Sequence, residues 1–257
     1  MELTSRTPVK EGRLLAIDGL RGALALIVLT HHIFFSFGSR LMLIPSSVAV
    51  SLFFLMSGYV LTRSYDGDYV RFLLRRFLRL WPVYAACLVV AYAIANRPPI
   101  WTEFIWFPYI SPLDPKAVDP PMWSLILESW AMPFMPFIVW AGTSSTLRTA
   151  IAMVIILCAA VIYAPTLVLL FFVGGAFLSK LELRSSLLES AIPQWLGKIS
   201  YSLYLSHALV LIVFVKLMGP WGSIFSIPIV FFAAWLIWFT LERPSIWLSR
   251  RAARTIP

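Results

Sequence analysis

Residues 13–37 read RLLAIDGLRGALALIVLTHHIFFSF. A spanning helix takes about 20 mostly apolar residues, so this stretch can cross a bilayer, yet it carries Asp18, Arg21, His31 and His32. An ionised Asp or Arg at the centre of a span costs about 2.5–3.5 kcal/mol on insertion scales, so these groups need protein around them. Helical spacing supplies an arrangement. Arg21 and His32 are about three turns apart and fall within roughly 20° of each other around the axis, and Asp18 lies about 40° to the other side of His32. His31 points off this stripe. One face of the first helix is a polar seam, predicted to look into a helical bundle and not at lipid.

The rest of the chain agrees with that reading. Of 257 residues, 60% are hydrophobic and only 13% charged, with mean hydropathy +0.84; soluble domains carry charge on about a quarter of their residues. The fold class predicted is all-α, a polytopic transmembrane bundle forming a single domain over 1–257. Eleven Trp, nineteen Phe and nine Tyr suit aromatic belts at the two interfaces. The net charge of +9 sits beside the spans, which explains it by anchoring to membrane lipids and calls for no nucleic-acid partner. Cys87 and Cys158 both lie in apolar runs, so neither a disulfide framework nor a metal site is signalled. The first apolar run is too long, and too interrupted by charge, for a cleaved signal peptide. It is expected to remain as the first helix.

Eight spans are predicted, over 14–37, 44–62, 77–95, 122–140, 149–163, 165–179, 199–217 and 223–241. The fifth and sixth are divided only by Ala164-Pro165, so they form a tight hairpin or one kinked element. Lys/Arg bias orients the set. With the N-terminus inside, the cytoplasmic segments hold Arg6, Lys10, Arg13, Arg63, Arg71, Arg75, Arg76, Arg79, Arg148, Lys180, Arg184, Lys198, Arg243, Arg250, Arg251 and Arg254; the other side keeps Arg40, Arg97, Lys116 and Lys216. Both termini are therefore expected in the cytoplasm. The outer segment 96–121 carries seven prolines, which forbid a regular helix through most of it. It is read either as a lid or re-entrant wall, or as a rigid external linker.

Four constellations carry possible chemistry. The Asp18/Arg21/His32 seam offers a general base, since a His beside a cavity can take a proton from a hydroxyl; a polar pin between helices is the structural reading. The basic run RFLLRRFLRLWPVY sets Arg76 and Arg79 at i, i+3, with Arg75 beside them. Clustered guanidiniums suit a polyphosphate, and anionic-lipid anchoring is the simpler account. In PPMWSLILESWAMP, Ser124 and Glu128 share a helix face beside Trp123. An acid at membrane depth needs a partner, for which Arg21 and His32 are the candidates. In GKISYSLYLSHALVL, Ser200, Tyr204 and His207 recur at helical spacing, as substrate contacts or as interhelical hydrogen-bond links. Gly174-Gly175 is read as a close-packing site.

Taken in order, these motifs resemble the acyltransferase-3 family of integral-membrane acyltransferases. IDGLRGALALIVLTHH is similar to the family's LDxLRGxxAxxVxxxH, whose Arg and His fall on Arg21 and His32. VSLFFLMSGYVL resembles its second span, RRFLRLWPVY its RxxR feature, and WSLILE its WSLxxE. ISYSLYLSHALVL is similar to SYxLYLxH, and LERPSIWLSRR to the closing E-[RK]-P at Glu242 and Arg243. Members usually carry more spans than eight, and the shortfall here lies between Glu128 and Gly174.

The resemblance implies transfer of an acyl group, commonly acetyl from acetyl-CoA, to a hydroxyl of a carbohydrate or lipid-linked acceptor, in a bacterial cytoplasmic membrane. It implies acyl-CoA as a donor substrate, with no permanently bound cofactor and no metal. His32 takes the base role, with Arg21, Asp18 and Glu128 completing the catalytic set. Arg75, Arg76 and Arg79 hold the donor, and Trp123, Ser124, Tyr204 and His207 contact substrate. Two rivals remain open. The same charged set resembles the proton relay of a transporter or flippase, and a catalytically inactive family member, or a subunit using the seams for assembly, accounts for it too.

Overall fold

The computed structural model describes residues 14–39, 45–104 and 121–252. It is 86% helical, without a strand among the described residues. The helices are α1 (Leu15–Ser36), α2 (Ser46–Ser64), α3 (Tyr69–Ala95), α4 (Trp101–Phe104), α5 (Met122–Ala131), α6 (Met135–Thr143), α7 (Thr146–Ile162), α8 (Val168–Leu178), α9 (Ala191–Met218), α10 (Gly222–Phe225), α11 (Ile227–Ile237) and α12 (Arg243–Ala252). Among the described residues, six helical stretches are long and apolar enough to cross a membrane: Leu15–Ser36, Ser46–Ser64, Tyr69–Ala95, Met122–Thr143, Ala191–Phe225 and Ile227–Ala252. The chain is an integral membrane protein.

The predicted fifth and sixth spans correspond to α7 and α8, joined by a 3-10 turn over Ala164–Leu167. At 17 and 11 residues and about 1.5 Å per residue, both fall short of a hydrocarbon core about 30 Å thick. They pack on one another, which makes them a hairpin. Its α7 arm leaves Val154, Ile155, Val161 and Ile162 exposed, whereas Phe172, Val173 and Ala176 of α8 are fully buried.

Two close crossings set the bundle's geometry. Between α1 and α9, a Cβ on Gly197 would lie 2.2 Å from the Asp18 carbonyl oxygen, and one on Gly22 would lie 2.6 Å from the Gly197 nitrogen. Only glycine lets these backbones touch, the usual device for packing helices in lipid. Between α2 and α8, a Cβ on Gly175 would lie 1.9 Å from the Leu55 carbonyl oxygen. Gly174 is looser, with Leu55 at 3.5 Å, so the close packing belongs to Gly175.

The third helix begins earlier than its apolar run, at Tyr69 and not near residue 77. The Asp68 carboxylate caps it by accepting from the Arg71 N–H at 2.9 Å. The RFLLRRFLR segment is thereby helical, and its arginines are sorted by face. At the other end Asn96, in the left-handed conformation (φ 51°), closes the helix.

The chain then turns back along α3. Trp81 Nε1–H donates to the Phe104 carbonyl at 2.7 Å, Tyr84 O–H donates to the Glu103 carbonyl at 2.8 Å, and the Tyr92 hydroxyl meets the Glu103 carboxylate. Trp81 and Tyr84 lie about 16–21 Å down α3 from its end. Residues 101–104 thus lie back against α3, whose aromatic donors satisfy the Glu103 and Phe104 carbonyls. The rest of the predicted lid, residues 105–120, lies outside the described residues.

Candidate active site

A cavity of about 470 Å³ lies where α1, α2, α3, α5 and α9 meet the π-helical turn Trp238–Glu242 and α12. That volume is in the range of small-molecule sites. One end holds the polar and charged side chains of Asp18, Gln194, Lys198, Arg243 and Arg250, which come from the first turns of α1 and α9 and from α12; Arg21, Arg76 and Arg79 line it further in. Phe53, Phe54, Leu80, Leu125 and Trp238 supply apolar wall. Six cationic side chains face three acids, Asp18, Glu128 and Glu242.

The cations are poorly compensated. Arg76 is 8% exposed, and its Nε and Nη2 make no hydrogen bond; its one ion pair is with Glu128, Nη2 to Oε1 at 3.8 Å. Arg21 and Arg79 make no hydrogen bond among the described residues. Such guanidiniums, desolvated and with donors unused, attract an anion able to accept from several of them. The acids are better served. Glu128 Oε1 accepts from Ser57 Oγ at 2.9 Å, and Glu242 Oε2 from Ser202 Oγ at 2.6 Å. Glu128 therefore finds Ser57 and Arg76, and not the Arg21 or His32 that spacing suggested, because α2 and α3 bring those groups against α5.

Ser124 and Tyr204 close the inner part of the cavity. Ser124 Oγ is 3.1 Å from the Pro121 carbonyl and 2.7 Å from the Tyr204 hydroxyl. A carbonyl only accepts, so the serine proton goes to Pro121 and Tyr204 donates to Ser124. The Tyr204 ring is edge-on to Phe53, with centroids 5.6 Å apart, and 6.0 Å from the ring of His207. The histidines sit beyond it. His207 is 1% exposed; its Nδ1 lies 2.7 Å from the Tyr204 carbonyl and 3.1 Å from that of Leu203, and its Nε2 lies 2.8 Å from His32 Nδ1. The two imidazoles are nearly parallel, 15° apart, with centroids at 5.0 Å.

The predicted residues thus divide. Asp18, Arg21, Arg76, Arg79, Ser124, Glu128 and Tyr204 share the cavity. His32 and His207 form a pair one helical turn past Tyr204 and do not line it. Trp123 packs with the hydrophobic core. Arg75 turns to the loop between α2 and α3, where its Nη2 is 2.7 Å from Asp66 Oδ2. Burial acts to raise the Asp66 pKa, but hydrogen bonds from Arg75 and from the Asp68 N–H lower it more, leaving the carboxyl below the ordinary range. Residues not singled out from sequence also line the cavity: Ser57, Gln194 and Tyr201, with Lys198, Arg243 and Arg250 near its charged end. Glu242 and Arg243 stood in a motif without a role; Ser57 and Tyr201 had only a polar residue in an apolar helix as their signal.

The fold and the cavity together define a class: an integral-membrane helical bundle with a cation-lined cavity among its helices. The family model described as an acyltransferase domain matches residues 14–188. The chain belongs to the acyltransferase-3 family. The match ends before α9, so the SYSLYLSH and ERP segments lie beyond it. Protein 2 in the picA locus of Rhizobium radiobacter is 38% identical over 93 residues, which cover 32% of this chain and 47% of that protein. The chain thus spans about half the length of this curated relative. No solved structure matches the chain.

Proposed function

We propose that the chain is a membrane O-acyltransferase that moves an acyl group, acetyl in the first instance, from acyl-CoA to a hydroxyl of a carbohydrate or lipid-linked acceptor. The observation that carries this reading is the cavity with three guanidiniums, Arg21, Arg76 and Arg79, that make no hydrogen bond among the described residues. A CoA ester has phosphates to pair with them and a long arm to follow the cavity inward. Arg76 and Arg79 hold the donor near its phosphates, with Lys198, Arg243 and Arg250 at the charged end. The Lys/Arg bias of the sequence, with the short α7–α8 hairpin entering and leaving on one side, supports a topology in which both termini and this end of the cavity face the cytoplasm of a bacterial cell, where acyl-CoA is made.

His32 is the general base. It takes the proton of the acceptor hydroxyl while the oxygen attacks the thioester carbonyl carbon; the C–S bond breaks and the thiolate of CoA takes that proton from the imidazole. The donor arm must pass the Tyr204 ring to reach it. Turning that ring aside breaks the hydrogen bond to Ser124, about 0.5–1.5 kcal/mol, and gives up the edge-on contact with Phe53, about 0.5–1.5 kcal/mol more, both small against the barriers of enzymatic turnover.

Incubating the detergent-purified protein with acetyl-CoA carrying a labelled acetyl group tests the reading. Thioester consumption, with label passing to water or to an added glycan, is expected, and His32→Ala abolishes it while the variant still inserts and folds. Intact thioester throughout, with movement of a solute or lipid across the membrane, would replace this reading with the transporter.

A further inference from the structure

The geometry points to His207 as a positioning residue that fixes the tautomer of His32 and so selects Nε2 of His32 as the basic atom. This inference rests on the proposal that His32 is the base, and it adds which nitrogen acts and what holds it.

The assignment follows from hydrogen-bond polarity. Nδ1 of His207 faces two backbone carbonyls, of Tyr204 at 2.7 Å and Leu203 at 3.1 Å. These belong to the preceding turn of its own helix, where a side chain leaning toward the N-terminus meets the i−3 and i−4 carbonyls. Carbonyl oxygens accept and never donate, so Nδ1 of His207 carries the proton. In a neutral imidazole the other nitrogen is then bare. Nε2 of His207 is thus an acceptor, and the atom 2.8 Å from it, Nδ1 of His32, is the donor. The remaining nitrogen of His32, Nε2, holds the free lone pair and makes no hydrogen bond among the described residues. Each proton in the row is fixed by the one before it, starting from the helix backbone.

Two consequences separate this pair from a merely structural one. When Nε2 of His32 takes a proton, the bond from its Nδ1 to His207 becomes charge-assisted, a stronger kind than the neutral one it replaces. His207 therefore favours the protonated base, the state formed as the acceptor oxygen attacks. The row is also a dead end for protons. The proton on Nδ1 of His207 faces only carbonyl oxygens, so no group there can pass it on, and a proton gained at Nε2 of His32 must leave from Nε2. This suits a base that returns its proton to a leaving thiolate, whereas a relay across the membrane needs an onward acceptor.

The test combines spectroscopy with kinetics on the full chain in lipid nanodiscs. The sequence has only three histidines, so 13C/15N-histidine labelling gives three ring systems, assigned by the His31→Asn and His207→Gln variants. Wild-type protein is expected to show Nδ1–H on both His32 and His207. In acetyl-CoA turnover, His207→Phe removes the acceptor and is expected to lower kcat by about 10²-fold, at the low end of what a general base supplies, with KM for acetyl-CoA unchanged. His207→Gln, whose amide oxygen can take the place of Nε2, is expected to recover most of that loss. An Nε2–H signal from His32 overturns the inference, as does wild-type kcat in His207→Phe or equal damage in the Phe and Gln variants. If instead His32→Ala retains near-normal turnover, the base assignment itself falls, whatever tautomer the spectrum shows.

Discussion

Arg76 offers the sharpest division between a donor site and a structural ion pair, through the substitution Arg76→Met. Methionine keeps the length and apolar stem of the side chain and removes the guanidinium. Two of its nitrogens, Nε and Nη2, are buried without a hydrogen-bond partner. A hydrogen bond to a charged group is worth about 1.5–3 kcal/mol net, so an anion that engages both gains about 3 kcal/mol at the low end. At 1.4 kcal/mol per tenfold, Arg76→Met should weaken CoA binding by about 10²-fold, measured by titration calorimetry on the purified protein.

Stability should move differently. The ion pair to Glu128 is long, 3.8 Å, and Glu128 keeps the Ser57 hydroxyl and an open cavity beside it. Removing one partner of a buried pair costs about 3–5 kcal/mol when it leaves the other charge buried and uncompensated; Glu128 is left hydrogen-bonded to Ser57 and partly open to the cavity, so this cost is largely avoided. The expected outcome is a large loss of affinity with thermal unfolding nearly unchanged. A large drop in Tm with unaltered CoA affinity would refute the reasoning and make Arg76 a structural residue.

Arg75, one position away, serves as the control: Arg75→Ala should leave CoA affinity unchanged, and loss of its exposed pair with Asp66 should change stability by less than about 1 kcal/mol, read by thermal shift. Because the Asp66 carboxyl is held below its ordinary range, that small contribution is complete above the unfolded carboxylate pKa and disappears as pH falls through the lower folded value; an effect of Arg75→Ala that grows toward acid would contradict it. Gly197→Ala would place a methyl 2.2 Å from the Asp18 carbonyl oxygen, forcing α1 from α9. Overpacking of this kind costs about 1–3 kcal/mol or more, so a clear fall in Tm with reduced turnover is expected, and normal values for both would show that the crossing is not tight. Tyr204→Phe removes the hydrogen bond to Ser124 and leaves the ring; KM for acetyl-CoA should stay within a few-fold by steady-state kinetics, and a large rise would mean that the hydroxyl binds the donor directly.

The membrane character, the helical class and the membership of the polar groups in one bundle were legible in the sequence, because they depend on composition and on the helical period alone. The apolar runs mark the spans, and one hundred degrees per residue places Arg21 near His32 around the axis, and Ser124 above Glu128, without knowledge of any neighbour. The pair Arg76 and Arg79 was legible for the same reason. Even so, the start of α3 at Tyr69 was missed, since the Asp68 cap outweighs a hydropathy boundary.

Depth and partnership belong to the tertiary structure. A helical seam says which side chains share a face, but it does not say where along that face a cavity ends. The cavity takes in Arg21 and stops at Tyr204, and the imidazole in line with Arg21 lies past that ring. His32 meets His207, 175 positions away, only because Gly22 and Gly197 let α1 and α9 approach to backbone contact. Glu128 meets Arg76 and Ser57 because α2 and α3 pack beside α5, and Arg75 is excluded because adjacent residues on a helix point about 100° apart. Sequence determined the kinds of groups and the faces that carry them; the crossings of the helices decided which groups touch, since contact depends on distances between segments that periodicity along one segment does not contain.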